Sequence, residues 1–295
     1  MTGGRPSSSE GPSPQVDVPY RLAWRTSDVR IGAHRGKIEG AGGLFRDFDL
    51  LMRSPDPRRI DLRMSARDPF DTLYVRRFEQ KTSISVYALV DLSASMGFEG
   101  GVDKMQVVAD LAGALAASAR RIGDNFGLIG CDEKIIPEFF LPATRSRGGE
   151  AEMISQLRSY VPTGHSAEGL LEAAGYVTGR RKLVFVISDF YLPLPLIEAL
   201  FEALSQHDVV PIVLKDRREL EDLPRYGLIS LTDLETGRRR LLAMRPSLRA
   251  EWLHKDAEHA RALRALAMRY GRPPFEILGP INWDRLGAYL MGEAA

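Results

Sequence analysis

Two almost unbroken runs of apolar residues stand out along the chain, and both end in polar side chains. The first run spans residues 84–90 and the second spans residues 183–187. Such runs are typical of strands that are covered on both faces of a parallel sheet. The first ends at Asp91, and the second ends at Ser188 and Asp189. The pattern therefore predicts two central strands with oxygen-bearing side chains at their carboxyl ends.

Helical and strand-like patterns alternate along the rest of the chain. Apolar residues at helical spacing predict helices over 103–122, 150–158, 166–177, 195–205, 248–270 and 283–291. Strand patterns cover 73–79, 126–131, 135–141, 182–189, 209–214, 229–232, 240–243 and 276–278. Pro137 places one strand at a sheet edge, and the short link between 73–79 and 84–90 predicts an antiparallel pair. The alternation predicts an α/β fold with a mostly parallel central sheet and helices on both faces.

The chain divides into three parts by composition. Residues 1–18 are rich in Gly, Ser and Pro, which predicts a disordered tail. Residues 19–72 mix aromatic residues with many arginines and show no clean period, so we expect a small irregular N-terminal region packed on the main domain. Residues 73–295 form that main α/β domain, which closes with a helical extension at its C-terminal end.

Composition excludes several classes of protein. The 295 residues are 44% hydrophobic and 27% charged, as in an ordinary globular protein with a sizeable core. A formal net charge of +1 gives no overall field that would attract nucleic acid or an anionic membrane. The single cysteine, Cys131, allows no internal disulfide and is expected to be a small buried hydrophobe. No apolar run is long enough to span a bilayer, and the N-terminal residues lack the apolar core of a signal peptide. We expect a cytoplasmic protein.

Asp91, Ser93 and Ser95 alternate along the loop that follows the first buried strand. One carboxylate and two hydroxyls are hard oxygen donors, which suit Mg²⁺, Ca²⁺ or Mn²⁺ rather than zinc or copper. Asp189 ends the second buried strand, and a hydroxyl-bearing loop at 162–166 lies between the two in sequence. Ligands bind at the carboxyl ends of strands in open α/β sheets. The alternative is that the hydroxyls cap the next helix while Asp91 binds backbone N–H groups. The residues alone leave both interpretations open.

The same residues resemble the metal-ion-dependent adhesion site of the von Willebrand factor A-like, Rossmann-like fold. That motif is Asp-x-Ser-x-Ser, a distant Thr and a distant Asp; Asp91, Ser93 and Ser95 match its first part, and Asp189 matches its last. The family's Gly-Gly-Thr aligns with Gly164-His165-Ser166, which gives Ser166 the role of the Thr. Thr163 is the competing candidate. The resemblance implies a Mg²⁺ site, with Ca²⁺ or Mn²⁺ as alternatives, made by these five positions.

A wider set of motifs resembles a bacterial family of unknown function that is typically encoded beside MoxR-type AAA+ ATPases. The matching segments are Arg59-Ile60-Asp61, Ser65-Ala66-Arg67, Val75-Arg76-Arg77-Phe78-Glu79, Asp216-Arg217-Arg218-Glu219 and Asp233-Leu234-Glu235-Thr236-Gly237. The usual Asp-Trp is replaced by Asp61-Leu62, which marks a divergent member. The sequence is compatible both with the subgroup found in methanol-oxidation clusters and with its relatives.

The resemblance implies an adaptor that works with a MoxR-type AAA+ ATPase in the assembly, activation or metal loading of a target enzyme. An acidic residue of a partner protein would complete the coordination of the metal. The rival class is a divalent-metal-dependent hydrolase. Phosphatases of the haloacid dehalogenase type need a second Asp where this chain has Ser93, and the sequence contains neither a Gly-x-Ser-x-Gly elbow nor a phosphate-binding loop. We therefore expect no enzyme activity. A structural module with a vestigial site is the third possibility.

Two further clusters have competing interpretations. Glu251, His254 and Glu258 share one helix face and could bind zinc, but Lys255 breaks the metalloprotease motif, so a solvated polar face is the favoured interpretation. An arginine-rich set either forms buried ion pairs between the N-terminal region and the domain or offers a docking surface for an acidic partner. We favour the ion pairs. Its members are Arg58, Arg59, Arg63, Arg67, Arg76 and Arg77.

Overall fold

The structure is a computed structural model that describes residues 18–22, 31–98, 100–144, 149–216, 226–232 and 239–292. Within these residues the strands are β1 (Ile31–Leu50), β2 (Tyr74–Thr82), β3 (Ser85–Asp91), β4 (Asn125–Cys131), β5 (Ile135–Thr144), β6 (Leu183–Ser188), β7 (Asp208–Leu214), β8 (Gly227–Thr232), β9 (Arg239–Met244) and β10 (Phe275–Ile277). The α-helices are α1 (Leu62–Ser65), α2 (Lys104–Ile122), α3 (Glu150–Ser159), α4 (Gly169–Tyr176), α5 (Leu194–Ala203), α6 (Pro246–Tyr270) and α7 (Trp283–Met291).

Six strands form the central sheet in the order β10-β7-β6-β3-β4-β5. All neighbours are parallel except β4 and β5, which are antiparallel. β5 is the edge strand, as the proline within it predicts. β3 lies at the centre of the sheet between β4 and β6, and helices pack on both faces of the sheet, which explains its unbroken apolar sequence. The predicted α/β fold with a mostly parallel sheet is confirmed.

Helices cover both faces of this sheet, and alternate residues of β3 belong to different cores. Val86, Ala88 and Val90 pack in the core that contains α2 and α7. Leu89 packs in the opposite core, which contains α4, α5 and part of α6. Alternation follows from the period of two along a strand. The sheet is therefore held rigidly from both sides, and its carboxyl edge is a fixed platform.

The prediction that the 73–79 strand pairs with the 84–90 strand is wrong. β2 pairs instead with β1 in a separate antiparallel sheet, and both edges of β3 are occupied by β4 and β6. A short link permits a hairpin but does not compel one when parallel partners bury more apolar surface. The predicted hairpin at 229–243 is confirmed by the antiparallel β8 and β9, although its Glu235-Thr236-Gly237 turn lies outside the described residues.

The N-terminal region is more regular than its composition predicts. Residues 31–50 form a 20-residue strand, and a 3₁₀ turn at Pro57–Arg59 and the short helix α1 follow it. The predicted tail lies outside the described residues except for Val18, which is fully buried and donates its N–H to Ser118 Oγ. Tyr20 is also buried, and its hydroxyl donates to Asp124. The sequence did not indicate the strand at residues 31–50, because its arginines and glycines form no clear alternating pattern of apolar and polar residues.

We expect the folded protein to lose stability as the pH falls below 6.5, partly because of His207. Burial lowers the pKa of this histidine from its usual 6.5, its Nε2 contacts the Val177 carbonyl oxygen, and its Nδ1 has no partner within the described residues. The unfolded chain then binds the extra proton more readily, so acid favours unfolding. The melting temperature, measured as a function of pH, should fall less steeply below pH 6.5 for His207→Gln than for the wild type. Substitution of the exposed His254 by Gln (His254→Gln) should leave the pH dependence of the melting temperature as in the wild type. The same pH dependence in all three proteins would contradict this prediction.

Candidate functional site

The loop after β3 folds its polar side chains into a small hydrogen-bonded cluster. Asp91 Oδ1 accepts from the Ser93 N–H at 2.9 Å and from Ser93 Oγ at 2.6 Å. The Ser93 and Ser95 hydroxyls lie 3.1 Å apart. Asp91 and Ser93 are buried, whereas Ser95 is half-buried at the start of a 3₁₀ turn, Ala94–Gly97. The loop therefore gathers three oxygen-bearing side chains at the carboxyl edge of the central strand.

The end of β6 adds two more polar side chains to this cluster. Ser188 Oγ donates to Asp91 Oδ2 at 2.6 Å, which ties the ends of the two adjacent strands together. Asp189 is also buried, and its Oδ1 accepts from the Tyr191 N–H at 3.1 Å. The next residue, Phe190, has a φ of 57°, a conformation that a bulky residue rarely adopts and that clusters at functional sites. Ser188 is a member of the site that the motif search missed.

Lys104, at the first position of α2, is a second member that sequence reasoning missed. Its Nζ lies 3.3 Å from Asp189 Oδ2 and 3.2 Å from the Ser95 carbonyl oxygen. The side chains of Lys104 and Asp189 are each only 2% exposed. A lysine is almost never buried without a charged partner. The sequence signal was available: Lys104 begins a helix that directly follows the Asp-x-Ser-x-Ser loop.

The two buried carboxyl groups of Asp91 and Asp189 influence each other electrostatically. Burial, reinforced by the negative charge of Asp189, raises the pKa of Asp91 to about 6. Hydrogen bonds from Ser188 and Ser93 oppose this shift by stabilising the ionised form. The site therefore brings two buried carboxyl groups and the buried amino group of Lys104 together.

The 162–166 loop lies beside the Asp91 loop through its backbone. Ser93 and Gly164 form an isolated parallel bridge, and the Ala94 N–H donates to the Gly164 carbonyl at 2.8 Å. Glycine is required there, because a Cβ at this position would overlap Asp132. Ser166 is half-buried and Thr163 is exposed. Ser166 Oγ accepts from the Glu168 N–H at 3.5 Å, and no hydrogen bond between described residues joins either hydroxyl to Asp91, Ser93 or Ser95.

A third carboxylate, Asp216, follows β7 at the same edge of the sheet. Its Oδ2 accepts from the Gly101 and Val102 backbone N–H groups, the latter at 3.0 Å. Gly100 has no space for a Cβ against this carboxylate. Asp216 is buried and therefore fixes the loop that leads from Ser95 to α2. The chain thus uses Asp216 to position this loop, whereas Asp91 contacts the Ser93 hydroxyl directly.

The donor set fits a hard divalent cation. No group of three or more His, Cys, Asp or Glu side chains in the described ranges could hold a metal, so a metal here must also use hydroxyl oxygens. Two carboxylates and the Ser93 and Ser95 hydroxyls supply the oxygen ligands that Mg²⁺ accepts alongside water. The mutual repulsion of the buried acids is the feature that a cation would relieve. Residues that could hold it are Asp91, Ser93, Ser95 and Asp189, with Ser166 or Thr163 from the adjacent loop.

The zinc alternative on α6 does not form a site. His254 Nε2 and Glu258 Oε1 lie 3.2 Å apart, but both side chains are more than half exposed. Glu251 instead binds Lys255 at 2.7 Å, and His259 Nε2 faces the Phe190 carbonyl oxygen at 2.8 Å.

Cys131 is buried, and burial raises the pKa of its thiol well above the usual value. Across the part of the chain that is described, no helix is long and apolar enough to cross a membrane.

Comparisons with known proteins identify relatives. The family model described as "Protein of unknown function DUF58" matches residues 54–262. An uncharacterized protein of Mycobacterium tuberculosis is 25% identical over 263 residues, which cover 86% of this chain and 80% of the relative. A protein of Paracoccus denitrificans, named "Uncharacterized protein in moxR 3'region", is 37% identical over 97 residues, 33% of this chain and 92% of its own length. The solved structure of the conserved hypothetical protein BatB from Bacteroides thetaiotaomicron is 15% identical, with a TM-score of 0.41 over 70% of this chain and 96% of that one.

Proposed function

The chain belongs to the DUF58 family, and we propose that it is a divalent-metal-dependent adaptor that binds a MoxR-type AAA+ ATPase. The observation that carries this proposal is the convergence of Asp91, Ser93 and Ser95 with Asp189 at the carboxyl edge of adjacent strands. The parallel order of β7, β6, β3 and β4 supports a von Willebrand A-like assignment for the sheet. The partner class is supported by the Paracoccus relative, whose name places it in a moxR 3′ region.

In this proposal the residues of the chain hold a cation without breaking any bond. Asp91 is fixed by hydrogen bonds from Ser93 and Ser188, so its carboxylate keeps one orientation. Ser95 is only half-buried, which leaves the site reachable from solvent beside it. A bound Mg²⁺ would keep an exchangeable coordination position that an Asp or Glu of the partner can fill. The chain itself contributes the rigid platform and the ligands.

Partner binding is then coupled to the loops that surround the site. Lys104 links Asp189 to the Ser95 carbonyl, and Asp216 links β7 to the backbone of Gly101 and Val102. Any change in the charge at Asp189 therefore acts on the start of α2. Such a link is the kind of element whose two arrangements a ligand can bias. The biological output would be the assembly, activation or metal loading of a target enzyme by the ATPase and this adaptor.

We expect the purified protein to retain the MoxR-type ATPase encoded beside it in a pull-down with Mg²⁺, and to lose most of that ATPase when the metal is chelated. Asp91→Ala should lose binding even with Mg²⁺ present, because the central ligand is gone. Asp284→Ala, which removes an exposed acid at the start of α7, should bind like the wild type. Retention that is indifferent both to chelator and to Asp91→Ala would refute the metal-dependent contact. Phosphoester turnover that Asp91→Ala abolishes would favour the hydrolase instead.

A further inference from the structure

The segment between β1 and β2 is a compact structural unit, although it contains little regular structure. The Leu51 N–H donates to the Leu73 carbonyl at 2.8 Å, and the Asp61 N–H donates to the Tyr74 carbonyl at 2.8 Å. Ser65 Oγ accepts from the Tyr74 N–H at 2.9 Å. These bonds close residues 50–74 into one unit at the end of the β1–β2 sheet. We call it the 50–74 module.

Three acids of this module are engaged within it or with β2. Asp56 accepts from the Arg58 N–H at 3.2 Å and pairs with Arg59 at 2.9 Å. Asp61 caps α1 by accepting from the Met64 N–H at 2.9 Å, and it pairs with Arg76 of β2. Asp68 accepts from the backbone N–H groups of residues 70 and 72. The hydrogen bonds and ion pairs of these three carboxylates are therefore made by the module itself and by β2.

The arginines of the module divide into two groups. Arg59 is paired inside the module, and Arg76 and Arg77 of β2 pair with acids of the N-terminal region. The pairs are partly exposed, with Arg76 50% exposed, rather than buried as the favoured interpretation of the arginine set expects. The guanidinium groups of the second group are exposed and have no ion pair within the described residues. The described part of the chain gives these arginines no ion pair, because the neighbouring aspartates already make other hydrogen bonds and ion pairs. The members of the second group are Arg53, Arg58, Arg63 and Arg67.

The module also exposes the large apolar side chains that are least covered in the whole described part of the chain. Met52 is 95% exposed, Phe70 is 85% exposed and Leu62 is 75% exposed. Single exposed apolar residues are ordinary, but the three most exposed ones fall within 19 consecutive positions. A concentration of exposed apolar side chains among polar ones in one small module is typical of interaction sites. Arginine and methionine are enriched at protein interfaces for the same reason.

We propose that the 50–74 module docks an acidic amphipathic segment of a partner protein. Carboxylates of the partner would pair with Arg53, Arg63 and Arg67, and its apolar side chains would cover Met52, Leu62 and Phe70. A protein fits better than an anionic bilayer, because the module holds five arginines and four aspartates, so its net charge is small. A folded or folding segment can place each carboxylate opposite an arginine, whereas a bilayer presents negative charge to the aspartates as well.

The test uses the full chain and a fluorescent amphipathic peptide of about 18 residues, roughly five helical turns, with one Leu/Phe face and one Glu face. Fluorescence anisotropy should show saturable binding that weakens as salt rises, because exposed charges contribute. Arg63→Glu with Arg67→Glu should weaken binding by about tenfold or more and reduce its salt dependence, because charge pairs are lost. Met52→Ser with Phe70→Ser should weaken binding by a similar factor and keep the wild-type salt dependence, because the arginines are unchanged. A peptide with Lys in place of Glu should not bind.

The control variant is Arg264→Glu with Met268→Ser, which makes the same kinds of change on the exposed face of α6. It should bind like the wild type, and thermal melts should show that every variant is folded. Asp91→Asn should also leave peptide binding unchanged, since the inference is independent of the metal site. Absence of peptide binding by the wild type, equal loss in the control variant, or tighter binding to phosphatidylserine vesicles than to the peptide would overturn the proposal.

Discussion

Replacing Lys104 with methionine is expected to destabilise the metal-free protein by about 3 kcal/mol. The substitution keeps most of the side-chain volume but removes the ammonium group from a pair whose members are each 2% exposed. Asp189 is then buried with Asp91 and without the positive charge of Lys104. Breaking a buried pair from one side is costly, because the remaining charge has neither water nor a compensating positive charge. For a chain of this size the melting temperature should fall by roughly 6 °C.

The same variant should respond more strongly to Mg²⁺ than the wild type does. In the wild type the ammonium group and a divalent cation compete for the charge of Asp189, and the variant removes that competition. Mg²⁺ should therefore raise the melting temperature of Lys104→Met more than that of the wild type, by the usual linkage between binding and stability. Lys255→Met, which breaks an exposed pair with Glu251, should change stability by less than about 1 kcal/mol. An equal loss in both variants would show that the buried pair has no special role.

Asp91→Asn is expected to weaken Mg²⁺ binding by about 100-fold or more, because even the loss of a group that only orients a metal ligand costs 10- to 100-fold. Asparagine keeps the shape of the side chain and an oxygen that can accept from Ser93. It removes the charge, which is the main attraction for the cation. Titration calorimetry with Mg²⁺ on the two purified proteins measures this difference directly. Asp284→Asn is the control for a lost surface charge.

The stability of the metal-free Asp91→Asn protein should not fall, and it should rise near neutral pH. The pKa of Asp91 is raised from 3.8 to about 6 in the folded protein. A raised carboxyl pKa means that the folded state binds more protons than the unfolded state between those values, so this group lowers stability as the pH rises through that window. Asparagine has no charge to bury. Lower stability of Asp91→Asn at pH 7 would contradict a site in which burial, reinforced by the charge of Asp189, disfavours the ionised form of Asp91.

The local pattern of the chain was sufficient for the central strands and for their polar ends. The apolar run at 84–90 could be satisfied only by burial on both faces, and that requirement placed Asp91 at the carboxyl edge of a parallel sheet. The same logic placed Asp189 beside it, because both strands belong to the centre of one sheet. The proline in β5 and the long amphipathic helices were equally local signals. These elements were predictable because each depends on a few neighbouring residues.

The pairing of β2 was not predictable from local pattern. β2 and β3 are nearly adjacent in sequence, yet β2 joins β1 while β3 takes parallel partners from residues 125–131 and 183–188. Competition between possible strand partners is a global property, since it depends on which arrangement buries the most apolar surface. The strand at residues 31–50 was not predicted for a related reason. Its glycines and charged residues show no period that would mark a strand.

Sequence alone determined the chemical nature of the candidate site: two acids and several hydroxyls, all hard oxygen donors, at the ends of two strands. Only the tertiary structure showed that Lys104 bonds to Asp189 and Ser188 to Asp91, because the sequence does not specify which partner a side chain contacts across 85 or 97 positions. It also separated the arginines that pair internally from those that remain exposed on the 50–74 module. The physical reason is the same in both cases: residue type fixes which bonds a side chain can make, and packing decides which partner is within reach.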